Sequence, residues 1–328
     1  MPEKFFIIGS NSFSGASFAL SVLDLGFEVI GVSRSQKYNK VFLPYEFSGK
    51  DMEFHKLDLN HDLEKIMDLI NLMKPEYIVN FAAQSMVAQS WENPDHWFTT
   101  NLVSTVRLHD QLRHCGFLKK YVHVSTPEVY GSCEGYIKES CSYFPSTPYA
   151  VSRAAADMSL RTFFDAYDFP VVFTRAANVY GPGQQLYRII PRMILYIKMG
   201  RKLQLHGGGT SERSFIHMKD VSDATLKIAQ QAQPGEIFHI ATKSSITIRK
   251  LVEMICNLMG VEFEKHVEVV GERLGKDSAY LLNSSKVRNA FNWEDKISLE
   301  EGIQDVLDWV EYNFDVLKDQ PFDYIHKA

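Results

Sequence analysis

The sequence has few cysteines, no excess of positive charge and no long apolar run. Its four cysteines form no C-x-x-C pair, and without a secretion signal they predict no disulfide framework. Its eleven histidines show no spacing typical of metal ligands, so no metal site is expected. The net charge of -5 argues against a general nucleic-acid binder. Because no apolar run approaches the roughly 20 residues that span a bilayer, we expect a cytoplasmic protein without a membrane partner.

Apolar residues are abundant enough for a folded protein of about two domains, since they make up 45% of the 328 residues. The first half alternates short apolar runs with longer amphipathic segments. Strands are predicted at Phe5–Ile8, Glu28–Val32, Phe54–Leu57, Tyr77–Ala82, Tyr121–Ser125 and Val171–Arg175. Helices are predicted at Phe13–Leu25, at Leu63–Met73, from Pro94 to about His114, and at Tyr149–Tyr167. This alternation predicts an α/β fold with a doubly wound parallel sheet.

The pattern changes after Asn178. Helices are predicted at Ile189–Met199, Val221–Gln231, Ile248–Met259 and Ser298–Tyr312. Short strands are predicted at Leu203–Leu205, Phe215–His217, Glu236–Ile240 and Val267–Val270, of which Glu236–Ile240 could return to the main sheet. We predict a dinucleotide-binding domain over residues 1–178 plus about 214–240. A smaller, discontinuous substrate domain is predicted over residues 179–213 plus 241–328.

A glycine-containing turn joins the first predicted strand to the first helix. Gly9 would permit the tight turn, and Gly15 would let the helix pack closely on the strand. The helix N-terminus would present free N–H groups to a pyrophosphate, and the hydroxyl of Ser12 could reach a phosphate. The residues predicted to bind the cofactor here are Gly9, Asn11, Ser12, Phe13 and Gly15. An ordinary strand–helix turn without a ligand is the alternative.

The end of the second predicted strand bears on the choice of cofactor. An acidic residue there would bind the ribose 2′-hydroxyl of NAD, but this chain has Arg34. A guanidinium suits a 2′-phosphate, so NADP is favoured and NAD is the alternative. Asp58 and Leu59 are placed to face the adenine edge. Arg34 as a surface arginine and Asp58 as a helix cap are the other interpretations.

Seven motifs appear in an order that resembles the extended short-chain dehydrogenase/reductase family, from Phe5 to about Trp293. They are Gly9–Gly15, Asn80–Ser85, Asn101, Ser125–Gly131, Tyr149–Arg153, Asn178–Pro182 and Arg213–His217. Within this family the sequence most resembles the nucleotide-sugar 4,6-dehydratases. Thr126 and Glu128 carry that resemblance, because 4-epimerases generally lack the carboxylate of Glu128. The stretch Asn80–Ser85 and Arg34 look like the GDP-mannose branch. The sequence Thr-Pro-Glu at 126–128 looks like the GDP-N-acetylglucosamine dehydratases.

This resemblance implies a catalytic set of Thr126, Glu128, Tyr149 and Arg153. Tyr149 would be the base at the sugar 4-hydroxyl, and its pKa, near ~10 when free, must be lowered. Arg153, one helical turn later, stands where the family has lysine and could supply the cation. Glu128 would remove the C5 proton, while Thr126 would hydrogen-bond the C4 oxyanion. Pro127 replaces an aspartate of the glucose-type enzymes, so we hypothesise that Glu128 also protonates the leaving C6 hydroxyl.

The resemblance also implies the remaining contacts. Cofactor contacts are expected from Phe81, Ala82, Ala83, Ser85, Tyr149 and Arg153. Substrate contacts are expected from Gln84, Ser85, Asn178, Arg188, Arg192, Arg213 and Arg273, although the polar ones could instead be surface side chains. The helices at Pro94–His114 and Tyr149–Tyr167 are expected to form a homodimer through a four-helix bundle. The alternative is that their apolar faces simply pack on the sheet.

Two other functions fit the same sequence. A nucleotide-sugar 4-epimerase or 4-reductase would use Tyr149 and the cofactor without needing Glu128. A catalytically silent cofactor-binding protein is suggested by Arg153 and Pro127, the two departures from the family pattern. The nucleotide base and the hexose do not follow from residue spacing.

Overall fold

A computed structural model describes residues 3–133, 135–271 and 281–327. Seven parallel strands form the centre of these described residues. The strands are β1 (Lys4–Ile8), β2 (Glu28–Ser33), β3 (Glu53–Lys56), β4 (Tyr77–Asn80), β5 (Lys120–Val124), β6 (Val171–Ala176) and β7 (Ile237–Ile240). Their order across the sheet is β7-β6-β5-β4-β1-β2-β3, and each neighbouring pair is parallel. This confirms the predicted doubly wound α/β fold, in which β7 returns to the main sheet.

The sheet is buried on both faces, as the apolar strand sequences require. Phe5 and Ile7 of β1 point into one core, which the helices Phe13–Asp24 and Met218–Gln231 cover. Phe6 and Ile8 point into a second core on the opposite face. The strands are therefore fixed in register, and their carboxyl ends meet at one edge of the sheet.

The helices of the described residues are Phe13–Asp24, Pro44–Phe47, Leu63–Met73, Pro94–Phe98, Thr105–Leu112, Pro148–Tyr167, Ile189–Lys198, Met218–Gln231, Ile248–Leu258, Phe263–His266, Ser285–Phe291, Leu299–Tyr312 and Phe314–Leu317. The short helices Pro44–Phe47, Phe263–His266, Ser285–Phe291 and Phe314–Leu317 were not predicted. The others lie within three residues of the predicted bounds, with one exception. The exception is the single helix predicted from Pro94 to about His114. A π-helical turn at Thr99–Ser104 interrupts it.

The π-helical turn has an identifiable cause in Asn101. The amide of Asn101 accepts from the backbone N–H of Gln84 at 2.8 Å and donates to the Gln84 carbonyl at 3.0 Å. It also donates to Ser152 Oγ at 3.0 Å. The wider turn lets this side chain reach two other segments, and such turns are frequent at functional sites.

A separate apolar core forms where the sequence pattern changes. It is built on the helices Ile189–Lys198, Ile248–Leu258 and Leu299–Tyr312. In the part of the chain that the structure describes, four two-stranded pairs lie outside the main sheet: Tyr136–Ile137 with Leu281–Leu282, Asn178–Tyr180 with Phe215–His217, Leu203–His206 with Val267–Val270, and Glu212–Arg213 with Ile246–Thr247. The exact residue division into two domains stays a prediction.

The helices predicted to form a dimer are only partly buried in the core of the chain. Trp97, Leu108 and Leu160 are fully buried, whereas Val103 and Tyr167 are 40% and 54% exposed. The homodimer therefore stays a prediction. In residues 3–133, 135–271 and 281–327, no helix combines the length and apolarity needed to cross a membrane.

Candidate active site

A cavity of about 1130 Å³ opens at the carboxyl edge of the sheet. This is where open α/β sheets bind their ligands, and the volume exceeds that of most small-molecule sites. The glycine turn, the ends of β2, β4, β5 and β6, and the start of the helix Pro148–Tyr167 contribute to its lining. Residues 177–190 and parts of the segment 320–327 complete the surroundings.

The glycine turn is a place of close backbone approach. Gly9 has φ +83°, and a Cβ atom there would lie 2.7 Å from the backbone nitrogen of Ala82. A Cβ atom on Gly15 would overlap the carbonyl oxygen of Gly9. Both glycines are therefore required by packing, as the spacing predicted. Residues Asn11, Ser12 and Phe13, with the helix N-terminus, line the cavity.

Ser12 and Asn11 have structural partners at this turn. Ser12 Oγ accepts from the backbone N–H of Gly15 at 3.0 Å and caps the helix. The side-chain amide of Asn11 donates to the carbonyls of Ser35 and Gln36, each at 2.9 Å. Asn11 thereby fixes the loop that carries Arg34. The predicted contact between the Ser12 hydroxyl and a phosphate stays a prediction.

Arg34, Asp58 and Leu59 line the cavity, as do Phe81, Ala82, Ala83 and Ser85. One guanidinium nitrogen of Arg34 donates to the carbonyl of Lys327 at 3.3 Å. Asp58 Oδ1 accepts from the backbone N–H of Asn60 at 2.8 Å, which stabilises the turn after β3. All the predicted cofactor residues thus line the cavity apart from Gly15, which packs against the carbonyl of Gly9.

Thr126, Glu128, Tyr149 and Arg153 line the same cavity. Thr126 precedes a 3-10 turn at Pro127–Tyr130, and its hydroxyl accepts from the backbone N–H of Glu128 at 3.3 Å. Pro127 occupies the first position of that turn, where a helix needs no N–H donor. The unexpected proline is therefore compatible with the turn that presents Glu128.

Tyr149 lies at the start of the helix Pro148–Tyr167, which Thr147 caps by accepting from the N–H of Ala150 at 3.1 Å. Burial and the Glu128 carboxylate raise the pKa of Tyr149, while Arg153, the hydrogen bond from Thr126 and Arg188 act to lower it. The net effect of these protein groups is a raised pKa, whereas the sequence argument requires a lowered one. The positive charge of an oxidised nicotinamide would act in the required direction.

A buried polar network lies behind Arg153 and was not predicted from the sequence. Arg153 donates to the carbonyl of Val124. Asp157, one turn further along the helix, binds Ser125 Oγ and Arg175, each at 2.8 Å. Burial is the largest effect and by itself would raise the pKa of Asp157, but Arg175, His123 and Arg153 together outweigh it and lower the pKa to about 2. Asp157 is therefore a carboxylate that holds Ser125 next to Thr126.

The predicted substrate residues fall into three groups. Gln84, Ser85, Asn178, Arg188 and Arg213 line the cavity. Arg192 was predicted to bind substrate, but its guanidinium binds the carbonyl of Phe322 and the carboxylate of Asp323 (3.0 Å), and it does not appear among the described lining residues. Arg273 lies outside the residues that the structure describes. The substrate contact of Arg192 therefore stays a prediction, and in this structure its side chain turns toward the segment that follows residue 317.

Three features define an extended short-chain dehydrogenase/reductase. They are a parallel sheet in this strand order, a glycine turn at the first helix, and a tyrosine one helical turn before a cation. A family model described as GDP-mannose 4,6 dehydratase matches residues 6–306. The chain belongs to this family of nucleotide-sugar 4,6-dehydratases. The resemblance seen in the sequence motifs is thus confirmed.

Individual relatives agree with this assignment. The dTDP-D-glucose 4,6-dehydratase of Mus musculus is 32% identical over 286 residues, which cover 85% of this chain and 76% of the relative. The dTDP-glucose 4,6-dehydratase of Xanthomonas campestris is 28% identical and covers 92% of each chain. The crystal structure of dTDP-glucose 4,6-dehydratase from Bacillus anthracis in complex with NAD superposes with a TM-score of 0.86 at 30% identity, over 95% of this chain and 98% of that one.

Substituting Gly15 by alanine tests the glycine turn. We expect Gly15→Ala to lower dinucleotide affinity on the order of tenfold or more, because the new Cβ must displace the Gly9 carbonyl at a cost of about 1–3 kcal/mol. The measurement is a fluorescence titration with reduced dinucleotide, alongside thermal unfolding. Gly116→Ala is the control, since its Cβ would meet open space. Unchanged binding by Gly15→Ala would contradict the close-approach argument.

Proposed function

We propose that this chain is a 4,6-dehydratase of a GDP-hexose, with GDP-N-acetylglucosamine favoured and GDP-mannose next, and that its product is the 4-keto-6-deoxy sugar. The observation that carries the proposal is the presence of Thr126, Glu128 and Tyr149 in one cavity with the glycine turn. The description of the matching family supports a GDP-sugar. The mouse and Xanthomonas relatives are named for dTDP-glucose, so the nucleotide must be determined by experiment.

The proposed reaction begins at C4. Tyr149 accepts the proton of the 4-hydroxyl, and the Thr126 hydroxyl stabilises negative charge on that oxygen. The nicotinamide, when bound, supplies the acceptor for the C4 hydride and returns it at C6. Arg153, buried beneath Tyr149 on the same helix face, favours the phenolate electrostatically.

Elimination depends on Glu128. Once C4 is a ketone, the neighbouring C5 proton is acidic, and the Glu128 carboxylate removes it. Pro127 has no proton to donate, so Glu128 passes the proton to the departing C6 hydroxyl, which leaves as water. One carboxyl group thus serves as base and then as acid, which requires elimination from a single face of the sugar.

The product distinguishes this proposal from its rivals. Purified protein is incubated with GDP-, UDP-, dTDP- and CDP-hexoses without added reductant, and the products are analysed by mass spectrometry. We expect loss of one water from a GDP-hexose. An unchanged mass with a changed chromatographic retention would indicate a 4-epimerase. A gain of two hydrogens by a nucleotide-linked 4-keto sugar, in a parallel incubation with reduced dinucleotide, would indicate a 4-reductase. No conversion of any sugar would favour a catalytically silent protein.

The role of Glu128 is tested by Glu128→Gln, which keeps the side-chain shape and removes the base. We expect product formation to fall roughly 10²–10⁴-fold, while C4 oxidation continues and reduced nicotinamide accumulates. The measurement combines nicotinamide absorbance with product mass in a single-turnover reaction. Glu300→Gln, an exposed residue near the start of the helix Leu299–Tyr312, is the control. Normal turnover by Glu128→Gln would dismiss this mechanism.

The cofactor is proposed to be NADP, with NAD as the alternative, and to be regenerated in each turnover. Arg34 supports NADP because its guanidinium lines the cavity after β2, where a 2′-phosphate would lie. The Bacillus anthracis relative is in complex with NAD, which supports the alternative. We also propose a cytoplasmic location and a homodimer. The dimer would form through a four-helix bundle of the segment 94–112 and the helix Pro148–Tyr167 from each copy.

Arg34→Ala separates the two cofactors. If NADP is preferred, the variant loses on the order of tenfold or more in NADP affinity, the effect of one charge-assisted hydrogen bond, while its NAD affinity changes little. Both dissociation constants are measured by calorimetry for the wild type and the variant. Equal losses for NAD and NADP would show that Arg34 does not recognise the 2′-phosphate.

A further inference from the structure

Residues 320–327, here called the strap, follow the last helices of the second core and run along the cavity to the cofactor side. Gln320, Pro321, Asp323, Tyr324, Ile325 and Lys327 all line the cavity. We propose that the strap is an outer wall of the cofactor site, which holds the dinucleotide in place through successive turnovers. The proposal rests on the cofactor-binding part of the function proposed above, and the role of the strap through successive turnovers also rests on the proposed return of the hydride.

The strap is attached at its beginning to the helix Ile189–Lys198. Arg192 donates to the carbonyl of Phe322 and forms an ion pair with Asp323 at 3.0 Å. The ring of Phe322 lies 5.7 Å from the ring of Tyr196. These contacts explain why Arg192 is turned away from the predicted substrate position.

The middle of the strap is joined to the inside of the site through Gln84. The hydroxyl of Tyr324 donates to Gln84 Oε1 at 3.3 Å, and Gln84 Nε2 donates to the carbonyl of Lys327 at 2.7 Å. Gln84 is 2% exposed, and its backbone is held by Asn101. The strap therefore binds a rigid part of the dinucleotide-binding half, directly after β4.

The far end of the strap is anchored by aromatic stacking. His326 stacks on Trp97 at 5.1 Å with an interplanar angle of 17°. It also stacks on His96, with ring nitrogens 2.8 Å apart. Trp97 is fully buried, so His326 is held against a fixed surface. Stacked rings of this kind supply directional attraction beyond simple burial.

The strap ends at the position proposed to recognise the ribose. The carbonyl of Lys327 accepts a hydrogen bond from Arg34, and the ammonium group of Lys327 lies 3.3 Å from Ser35 Oγ. The same ammonium group lies over the ring of Tyr38 at 5.8 Å. The chain thus passes over the loop after β2 and adds a positive charge beside Arg34.

The strap covers the cavity without filling it. With the strap in place, about 1130 Å³ stays open, and the glycine turn still lines that space. A plug would instead occupy the ligand volume. A wall suits a reaction that withdraws a hydride and returns it within one site, because such a cofactor need not leave between turnovers.

Two substitutions in the full chain test the strap without touching the glycine turn. His326→Ala removes the stack on Trp97, and Tyr324→Phe removes the hydrogen bond to Gln84. The rate of dissociation of reduced dinucleotide is measured by stopped-flow fluorescence with an excess of oxidised dinucleotide, in the absence of any sugar. We expect dissociation from the double variant to be on the order of tenfold faster, a factor that corresponds to about 1.4 kcal/mol. Loss of the aromatic stack and of one hydrogen bond together accounts for a free-energy change of this size.

Asp319→Asn is the matched control, because Asp319 is exposed and precedes the strap; its rate should equal that of the wild type. Circular dichroism and thermal unfolding verify that each variant is folded, and the single variants serve if the double variant is not. Unchanged dissociation in folded variants would overturn the proposal. Slower dissociation would also overturn it, since it would identify the strap as a competitor for the site. Neither result depends on whether the chain dehydrates a sugar.

Discussion

The active site depends on backbone segments that approach one another more closely than side chains would allow. Gly9 lies against the backbone of Ala82, and Gly15 lies against the carbonyl of Gly9. These approaches bring β1, β4 and the helix Phe13–Asp24 together at the carboxyl edge of the sheet. The N-terminus of that helix then faces the cavity that Thr126, Glu128 and Tyr149 also line. A helix N-terminus suited to an anion and the tyrosine proposed as the base therefore share one space.

A second constraint is the buried charge beneath the tyrosine. Arg153 and Arg175 are both fully or almost fully buried, and Asp157 is the carboxylate between them. Two desolvated guanidinium groups are costly unless they are paired and hydrogen-bonded. The carbonyl of Val124 and the carboxylate of Asp157 meet that need. An arginine can therefore stand where the family has lysine, because the chain provides acceptors for its planar group.

Two residues that the sequence analysis singled out, Pro127 and Arg192, have structural explanations of different kinds. Pro127 fits the first position of the turn that presents Glu128, so a local backbone preference accounts for it. Arg192 serves the strap, so a long-range contact accounts for its orientation. The strap in turn links the core around the helix Ile189–Lys198 to the loop that carries Arg34. The cavity is thereby enclosed by chain segments from both halves of the sequence.

Local sequence patterns were enough to predict the parallel sheet, the glycine turn and the approximate bounds of most longer helices, because apolar periodicity and turn chemistry act over a few residues. The helix Leu63–Met73 has the predicted bounds for this reason. Tertiary structure alone decided the π-helical turn at Thr99–Ser104, which depends on Asn101 reaching residues 17 and 51 positions away. It also decided the strap, whose bond to Arg34 joins residues 293 positions apart. Such contacts depend on how the whole chain packs, which cannot be predicted from the sequence pattern of a short segment.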